Sequence, residues 1–353
     1  MNRFRLPYHL IIEEGIFNHV DVVMKDCVPG IKNKKVIIVT EENLKNLFES
    51  TINELQNDFL NSEVYLVKNG YFDDAVALAK YICMKDINVV IGFGGGKVLD
   101  MAKYASFVSK AMFLCLPTTL SNDSLASPVA VLGTEGKARK TFKCTIPDSI
   151  IVDVNIIMSA PKTQTLSGIG DTISKYTALI DWRLSHDKTG SNVDDFAYMI
   201  SKMAFNTICF TEDKDVQSKS FIKVLTQSLV MGGLAMEIAG NSRPSSGSEH
   251  LFCHALEENY SEQVALPHGI AVAMGSYCAC IFQGRNIQKI TKLLKEYAIP
   301  VKPSSWNITE EIFIGAWQSA SATRADRYTI LNETDLSCER LSALYRQMEE
   351  EFK

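Results

Sequence analysis

The stretch Asn88-Val89-Val90-Ile91-Gly92-Phe93-Gly94-Gly95-Gly96-Lys97 reads as a buried strand that ends in a glycine turn. Val89, Val90, Ile91 and Phe93 form the continuous apolar run of a strand covered on both faces, and a helical pattern follows through residue 109. Upstream, Lys35-Val36-Ile37-Ile38-Val39-Thr40 is another such run, and Leu44, Leu47, Phe48 and Ile52 then recur near the helical period within residues 41–60. Glu63-Val64-Tyr65-Leu66-Val67 reads as a strand, and residues 73–84 as a helix with Asp73 or Asp74 near its start. Residues 111–116 and 149–154 read as further strands. This alternation predicts a doubly wound parallel sheet. Beyond Pro161 apolar residues recur at three and four and strand runs become scarce. The expected fold is therefore an α/β N-terminal domain over residues 1–158 and an all-α C-terminal domain over residues 159–353. Residues 187–195 and 211–219 are polar and read as loops.

Composition narrows the function classes. A chain of 353 residues suits two domains, and 46% hydrophobic with 22% charged residues is ordinary for a globular protein. A net charge of −5 supplies no broad basic surface, which argues against nucleic acid as the main partner. Nine scattered cysteines without a CxxC pair predict free thiols in a reducing cytoplasm. The N-terminal Met1-Asn2-Arg3-Phe4-Arg5-Leu6-Pro7 does not read as a secretory signal, and no apolar run approaches the ~18 residues of a membrane span. The chain is expected in the cytoplasm.

Four motifs carry possible chemistry, each with a plainer alternative. Gly94-Gly95-Gly96-Lys97 at a strand–helix junction suits a phosphate, because small residues and helix-start N–H groups admit an anion; it also suits a simple tight turn. It is not a Walker A loop, since Ile91 stands where Gly is needed and Val98 replaces Ser/Thr, and Lys97 breaks GxGxxG. Leu116-Pro117-Thr118-Thr119-Leu120-Ser121-Asn122-Asp123, with Ser127 beyond, places hydroxyls and an acid after a strand, where α/β proteins bind ligands; a capped turn has the same composition. Asp171, in Gly168-Ile169-Gly170-Asp171, is a candidate metal carboxylate or a helix cap. Three of the six histidines fall within nineteen residues. His250 and His254 share a helix face and His268 follows in Pro267-His268-Gly269, so they form a metal site or packed core imidazoles. Leu251 follows His250, so the pattern is not HExxH, and Glu249 is expected to turn away from the histidine face. Arg243, in Ser242-Arg243-Pro244, is either a salt-bridge partner or an anion contact.

In this order the motifs resemble the metal-dependent polyol dehydrogenases, a group with glycerol dehydrogenases, iron-containing alcohol dehydrogenases, glycerol-1-phosphate dehydrogenases and dehydroquinate synthases. The resemblance spans about residues 8–340. Its flavour is that of the glycerol-1-phosphate branch, through Ser121-Asn122-Asp123, Ala126-Ser127-Pro128 and Ser242-Arg243-Pro244-Ser245-Ser246-Gly247-Ser248-Glu249-His250. It implies a nucleotide-binding N-terminal domain, a helical metal-binding and substrate domain, and an active site in the cleft between them. It implies a divalent metal on Asp171, His250 and His268, with zinc first and iron, nickel or manganese as alternatives. It implies NAD or NADP held by Gly94, Gly95, Gly96, Lys97 and Val98 and lined by Thr118, Thr119, Leu120, Ser121 and Ser127. Asp123 and His254 would be catalytic and face the substrate hydroxyls, beside Asp171. Thr40-Glu41 falls where relatives hold the adenosine ribose, with Lys45 close by. The partner is then a small polyol or polyol phosphate, handled by a homo-oligomer.

The reaction so implied is interconversion of a secondary alcohol and its ketone. Arg243 favours sn-glycerol 1-phosphate and dihydroxyacetone phosphate over free glycerol, because a phosphate dianion calls for a cation. Free glycerol is the alternative, a dehydroquinate synthase-like lyase is a remote one, and a non-catalytic nucleotide-binding protein is a fourth.

Overall fold

A computed structural model describes residues 4–57, 59, 61–134 and 137–353. The chain forms two compact units, Met1–Pro161 and Lys162–Lys353.

The first unit contains, in chain order, β1 (His9–Glu13), α1 (Val20–Cys27), β2 (Lys35–Thr40), α2 (Glu42–Leu47), α3 (Glu49–Asn57), β3 (Asn61–Leu66), α4 (Phe72–Lys85), β4 (Val89–Gly94), α5 (Gly96–Ser109), β5 (Met112–Pro117), β6 (Val129–Thr134), β7 (Lys137–Lys143), β8 (Ser149–Asp153) and α6 (Val154–Ser159). Six strands pair in parallel in the order β1-β8-β5-β4-β2-β3. β4 and β8 are buried along their whole length and β2 everywhere but Lys35, as parallel strands covered on both faces must be. Val36, Ile38, Ile91, Phe93, Leu114, Leu116 and Ile151 pack on one face with Met24 of α1 and Ile52 and Leu55 of α3. Each such side chain contributes roughly 1.5–3 kcal/mol of burial. From β2 the chain runs outward to β3, then returns to the other side of β2 as β4. Strand order therefore reverses between β2 and β4, and ligands in open α/β sheets bind where it does so.

Two features were not expected from the sequence. β1 pairs with β8 at the sheet edge, and β6 and β7 form a separate antiparallel pair. β1 is only half buried, and β7 is the charged Lys137-Ala138-Arg139-Lys140-Thr141-Phe142-Lys143, so neither shows the apolar run that marks a covered strand.

The second unit is helical: α7 (Lys162–Thr189), α8 (Asp195–Phe210), α9 (Lys219–Ala239), α10 (Ser248–Asn259), α11 (His268–Phe282), α12 (Gln288–Glu296), α13 (Glu310–Ala320) and α14 (Cys338–Glu351). Asp194, Ser218 and Thr309 cap α8, α9 and α13 by accepting main-chain N–H groups, each worth about 1 kcal/mol. Gly240 ends α9 in the left-handed region, at φ 68°. α7 continues to Thr189, three residues into the stretch expected to be a loop. α9 is long and apolar enough to cross a membrane by length and composition, against the sequence expectation, but 67% of its apolar window is buried inside the unit. All nine cysteines are free.

Candidate metal centre and nucleotide loop

In the first unit, the glycine turn closes β4 beside the point where strand order reverses, which explains why it does not follow the first strand. α5 starts at Gly96 with no side chain capping it, so its first N–H groups are not taken by a cap. A Cβ on Gly94 would stand 2.7 Å from Val98 Cβ, while on Gly95 and Gly96 its nearest neighbours would be the hydroxyls of Thr119 and Ser124 at 3.2 Å. Lys97 pairs with Glu41 at the end of β2, so the turn and the expected ribose acid lie together. Thr118 Oγ1 is buried with no hydrogen-bond partner. Val98 and Leu120 are buried apolar anchors. The Ser127 hydroxyl is engaged within the unit: it accepts from Lys103 Nζ at 3.2 Å and donates to the Val129 carbonyl at 3.1 Å. Lys103 is itself buried and also donates to Asp100 and to the carbonyls of Ser124 and Val129, fastening α5 to the loop that holds Asp123. Nothing in the sequence pattern singled out Lys103, because its partners lie up to 26 residues away.

In the second unit, α7, α10 and α11 converge. Asp171 is buried in the middle of α7 and is not a cap. His250 lies in the first turn of α10, and His268 begins α11. His250 Nε2 is 3.6 Å from Asp171 Oδ1, and one donor atom from each of Asp171, His250 and His268 lies within 4.8 Å of the others. Ligands at about 2.0–2.2 Å around a tetrahedral ion stand roughly 3.4 Å apart, so this donor set fits a divalent metal. Two glycines permit the convergence. A Cβ on Gly170 would lie 2.1 Å from the Gly269 carbonyl oxygen, and one on Gly269 would lie 1.8 Å from that of Ser167. Only hydrogen side chains allow α7 and the start of α11 so close, and each glycine adjoins a ligand. Ser167 Oγ also accepts the Gly269 N–H at 3.0 Å, satisfying one orphan donor of α11.

The ligand set is ringed by charge. Burial opposes the ionised form of Asp171, but Lys175 and His250 outweigh it and hold its carboxyl well below the usual range. Lys175 is fully buried, 3.7 Å from Asp171 Oδ2. Burial likewise opposes protonation of His250, yet the Asp171 and Glu249 carboxylates keep its pKa raised. His268 is raised well above its ordinary value despite burial, by Cys253 and Glu257 on its Nδ1. Burial pushes the Cys253 thiol up to about 11. Glu249 does not turn away as the sequence suggested: its carboxylate folds back onto His250 Nδ1 at 3.0 Å. His254 shares the face with His250, ring centroids 6.3 Å apart, and desolvation holds it well below the usual imidazole value. Its Nδ1 is buried without a partner, so it is a neutral imidazole with one uncommitted nitrogen.

Arg243 lies in the loop between α9 and α10. Its Nη2 donates to the carbonyls of Asp181 (3.4 Å) and Tyr328 (2.9 Å), and its Nη1 is buried with no hydrogen-bond partner. Arg327, which sequence reasoning missed, straps the Ser242–Ser246 loop by donating to Ser246 and to Ser242 Oγ. Burial, with Arg243 and Arg324 nearby, brings its pKa down to about 10. Asp181 is fully buried and accepts the N–H groups of Ser248 and Ile330; burial and Glu249 raise it to about 6.

Comparison with known proteins gives the family and the fold. Residues 11–161 match the family model described as iron-containing alcohol dehydrogenase. The chain is 36% identical over 306 residues to a protein of Sulfurisphaera tokodaii named glycerol-1-phosphate dehydrogenase (NAD(P)+), covering 86% of this chain and 83% of that one. It is 34% identical over 343 residues to the Sulfolobus acidocaldarius protein of the same name, covering 97% and 96%. Among solved structures, glycerol dehydrogenase from Schizosaccharomyces pombe superposes at TM-score 0.77 with 18% identity, covering 100% of this chain and 91% of that one. A probable glycerol dehydrogenase from Sinorhizobium meliloti does so at 0.77 with 17% identity, covering 99% and 98%.

Proposed function

The chain belongs to the iron-containing alcohol dehydrogenase family, and from that membership we propose that it interconverts sn-glycerol 1-phosphate and dihydroxyacetone phosphate with NAD(P) and a divalent metal. It is an oxidoreductase acting on a small molecule. The observation that carries the reading is the Asp171–His250–His268 grouping, three protein ligands that leave coordination positions for a substrate oxygen. Zinc is the proposed ion. Held there, it would supply the Lewis acidity that eases ionisation of a bound hydroxyl and polarises a bound carbonyl.

The chain's own residues supply the rest. The Gly94–Lys97 turn receives the pyrophosphate on helix-start N–H groups, and Glu41 addresses the adenosine ribose once Lys97 turns to phosphate. Thr118, with its unpartnered hydroxyl, lines the cofactor beside Thr119, Leu120 and Ser121. Ser127 serves indirectly, by holding Lys103 and the loop. His254 moves or shares a proton with the substrate through its uncommitted nitrogen, and Asp123 hydrogen-bonds a substrate hydroxyl. Arg243 offers its unpartnered Nη1 to the substrate phosphate. The protein acts in the cytoplasm as a homo-oligomer.

Free glycerol is the second reading. It is favoured by the two bonds that already tie Arg243 to main-chain carbonyls. Steady-state turnover of dihydroxyacetone phosphate, dihydroxyacetone and glycerol, with each cofactor and with Zn²⁺ or Fe²⁺ added, separates the two. A preference for the unphosphorylated ketone that Arg243→Ala leaves unchanged refutes the phosphate assignment.

A further inference from the structure

Each of the three proposed ligands offers one atom to the common point and has its other polar atom engaged elsewhere. Asp171 presents Oδ1 toward His250, while Lys175 lies 3.7 Å from Oδ2 and also donates to the Asp171 main-chain carbonyl. His250 presents Nε2, and Nδ1 faces Glu249 Oε1 at 3.0 Å. His268 has Nδ1 facing Glu257 Oε1 at 3.1 Å, with Cys253 Sγ at 3.3 Å. A carboxylate accepts only, so each Nδ1 carries a proton and Nε2 is the nitrogen left to turn toward a metal.

From this we infer that Glu249 and Glu257 are positioning residues of the metal centre, one carboxylate for each histidine. They fix both the ring orientation and the tautomer that can coordinate. The inference rests on the metal reading above, but extends it to two residues that bind no metal themselves. The surroundings differ in a telling way. Glu249 has no exposure and is locked by three contacts: it accepts the Gly247 N–H, the Thr177 hydroxyl at 2.9 Å and the His250 Nδ1–H. Its position is set by α7 and by the loop before α10, so His250 is oriented by a rigid group. Glu257 is 29% exposed on its side chain, one turn beyond Cys253 on the same helix, and holds a ring that is 28% exposed. His268 is thus the ligand at the more open side, steadied by the softer support. The cluster Cys253, Glu257 and His268 has the composition of a second metal site, yet it shares the one imidazole. Protonation of Nδ1 by its contact with Glu257 makes it the outer support of the first site instead.

The test measures Zn²⁺ affinity of the full-length protein by competition with a chromophoric chelator, beside thermal unfolding of the metal-free form. Glu257→Gln and Glu257→Leu are the primary variants, because a partly exposed side chain is replaced without opening the core; Glu249→Gln is the companion. Metal affinity is expected to fall roughly 10–100-fold in Glu257→Leu. The loss is smaller in Glu257→Gln, whose amide oxygen still accepts from Nδ1, and the metal-free unfolding midpoint stays in place. Loading with Co²⁺ is expected to shift the visible bands of the variants, a change that mere loss of packing would not produce. Unchanged Zn²⁺ affinity and an unchanged Co²⁺ spectrum in both Glu257 variants overturn the inference while leaving the metal centre standing. Failure of the unaltered protein to bind Zn²⁺ overturns the metal reading and the inference together.

Discussion

Glycine works differently in the two halves of this molecule. At the Gly94–Lys97 turn, Gly95 and Gly96 face the hydroxyls of Thr119 and Ser124, and a methyl group there would crowd them only by tenths of an ångström. At the candidate metal centre, a Cβ on Gly170 or Gly269 would stand 2.1 or 1.8 Å from a main-chain carbonyl oxygen, where nothing can move without parting two helices. In the first unit, then, the missing side chain leaves open space at the start of α5, where the proposed cofactor phosphates would sit. In the second it lets the backbone itself close up, which sets ligand-bearing positions side by side. In the proposed reading, one half would bind with main chain and space, the other with buried side chains held by other side chains.

Removing the side chains on which the second half depends has the largest effect. Asp171→Ala and His250→Ala are expected to lose bound metal and all measurable turnover, checked by elemental analysis and assay; normal metal content in both would end the contrast. Next comes the glycine pair. Gly269→Ala should lower unfolding stability by about 1–3 kcal/mol and reduce metal binding, because the added methyl must displace a carbonyl. Gly95→Ala should leave urea unfolding nearly unchanged and raise the KM for NAD(P) instead. If the two variants behave alike, the distinction drawn here fails.

A smaller effect concerns phosphate. A charge-assisted hydrogen bond is worth roughly 1.5–3 kcal/mol, so Arg243→Ala should raise KM for dihydroxyacetone phosphate by about 10–100-fold while sparing free dihydroxyacetone. The protonation of the metal histidines gives a pH signature that the first half lacks. Both have raised pKa values without metal, and metal must displace those protons. Apparent metal affinity should therefore fall as pH drops through values already above 6.5, by about tenfold per pH unit for each proton displaced. Chelator competition across that range measures it, and a flat profile would mean the imidazoles are neutral beforehand. Smallest of all, Glu41→Gln should shift the preference between NAD and NADP a few-fold toward NADP, by removing a charge that opposes a 2′-phosphate.

Much of this was legible in the chain. The covered strands announced themselves because burial on both faces demands unbroken apolar runs, as in Val36–Val39 and Val89–Ile91. Asp171, His250 and His268 stood out as candidates because coordination chemistry admits few residue types, and the family resemblance implied that these three, rather than His254, would hold the metal. β1 and the β6–β7 pair were not legible, since half-exposed or charged strands carry no such run. Glu249 was misread from helical geometry alone: its direction on α10 says little when Thr177, 72 residues earlier, and the Gly247 N–H pull the carboxylate back.

By itself the sequence determined the covered strands with the helices that follow them, the candidate metal-ligand residue types and the place of the glycine turn, because these depend on local pattern and on which side chains have the needed chemistry. The tertiary structure alone decided that strand order reverses between β2 and β4, that Glu41 meets Lys97, that Gly170 and Gly269 bring α7 and α11 into contact, and that Glu249 and Glu257 face the histidines. The physical reason is the same in each case. Packing and buried hydrogen bonds join groups far apart in the chain, and burial makes it costly to leave any of those groups unpaired.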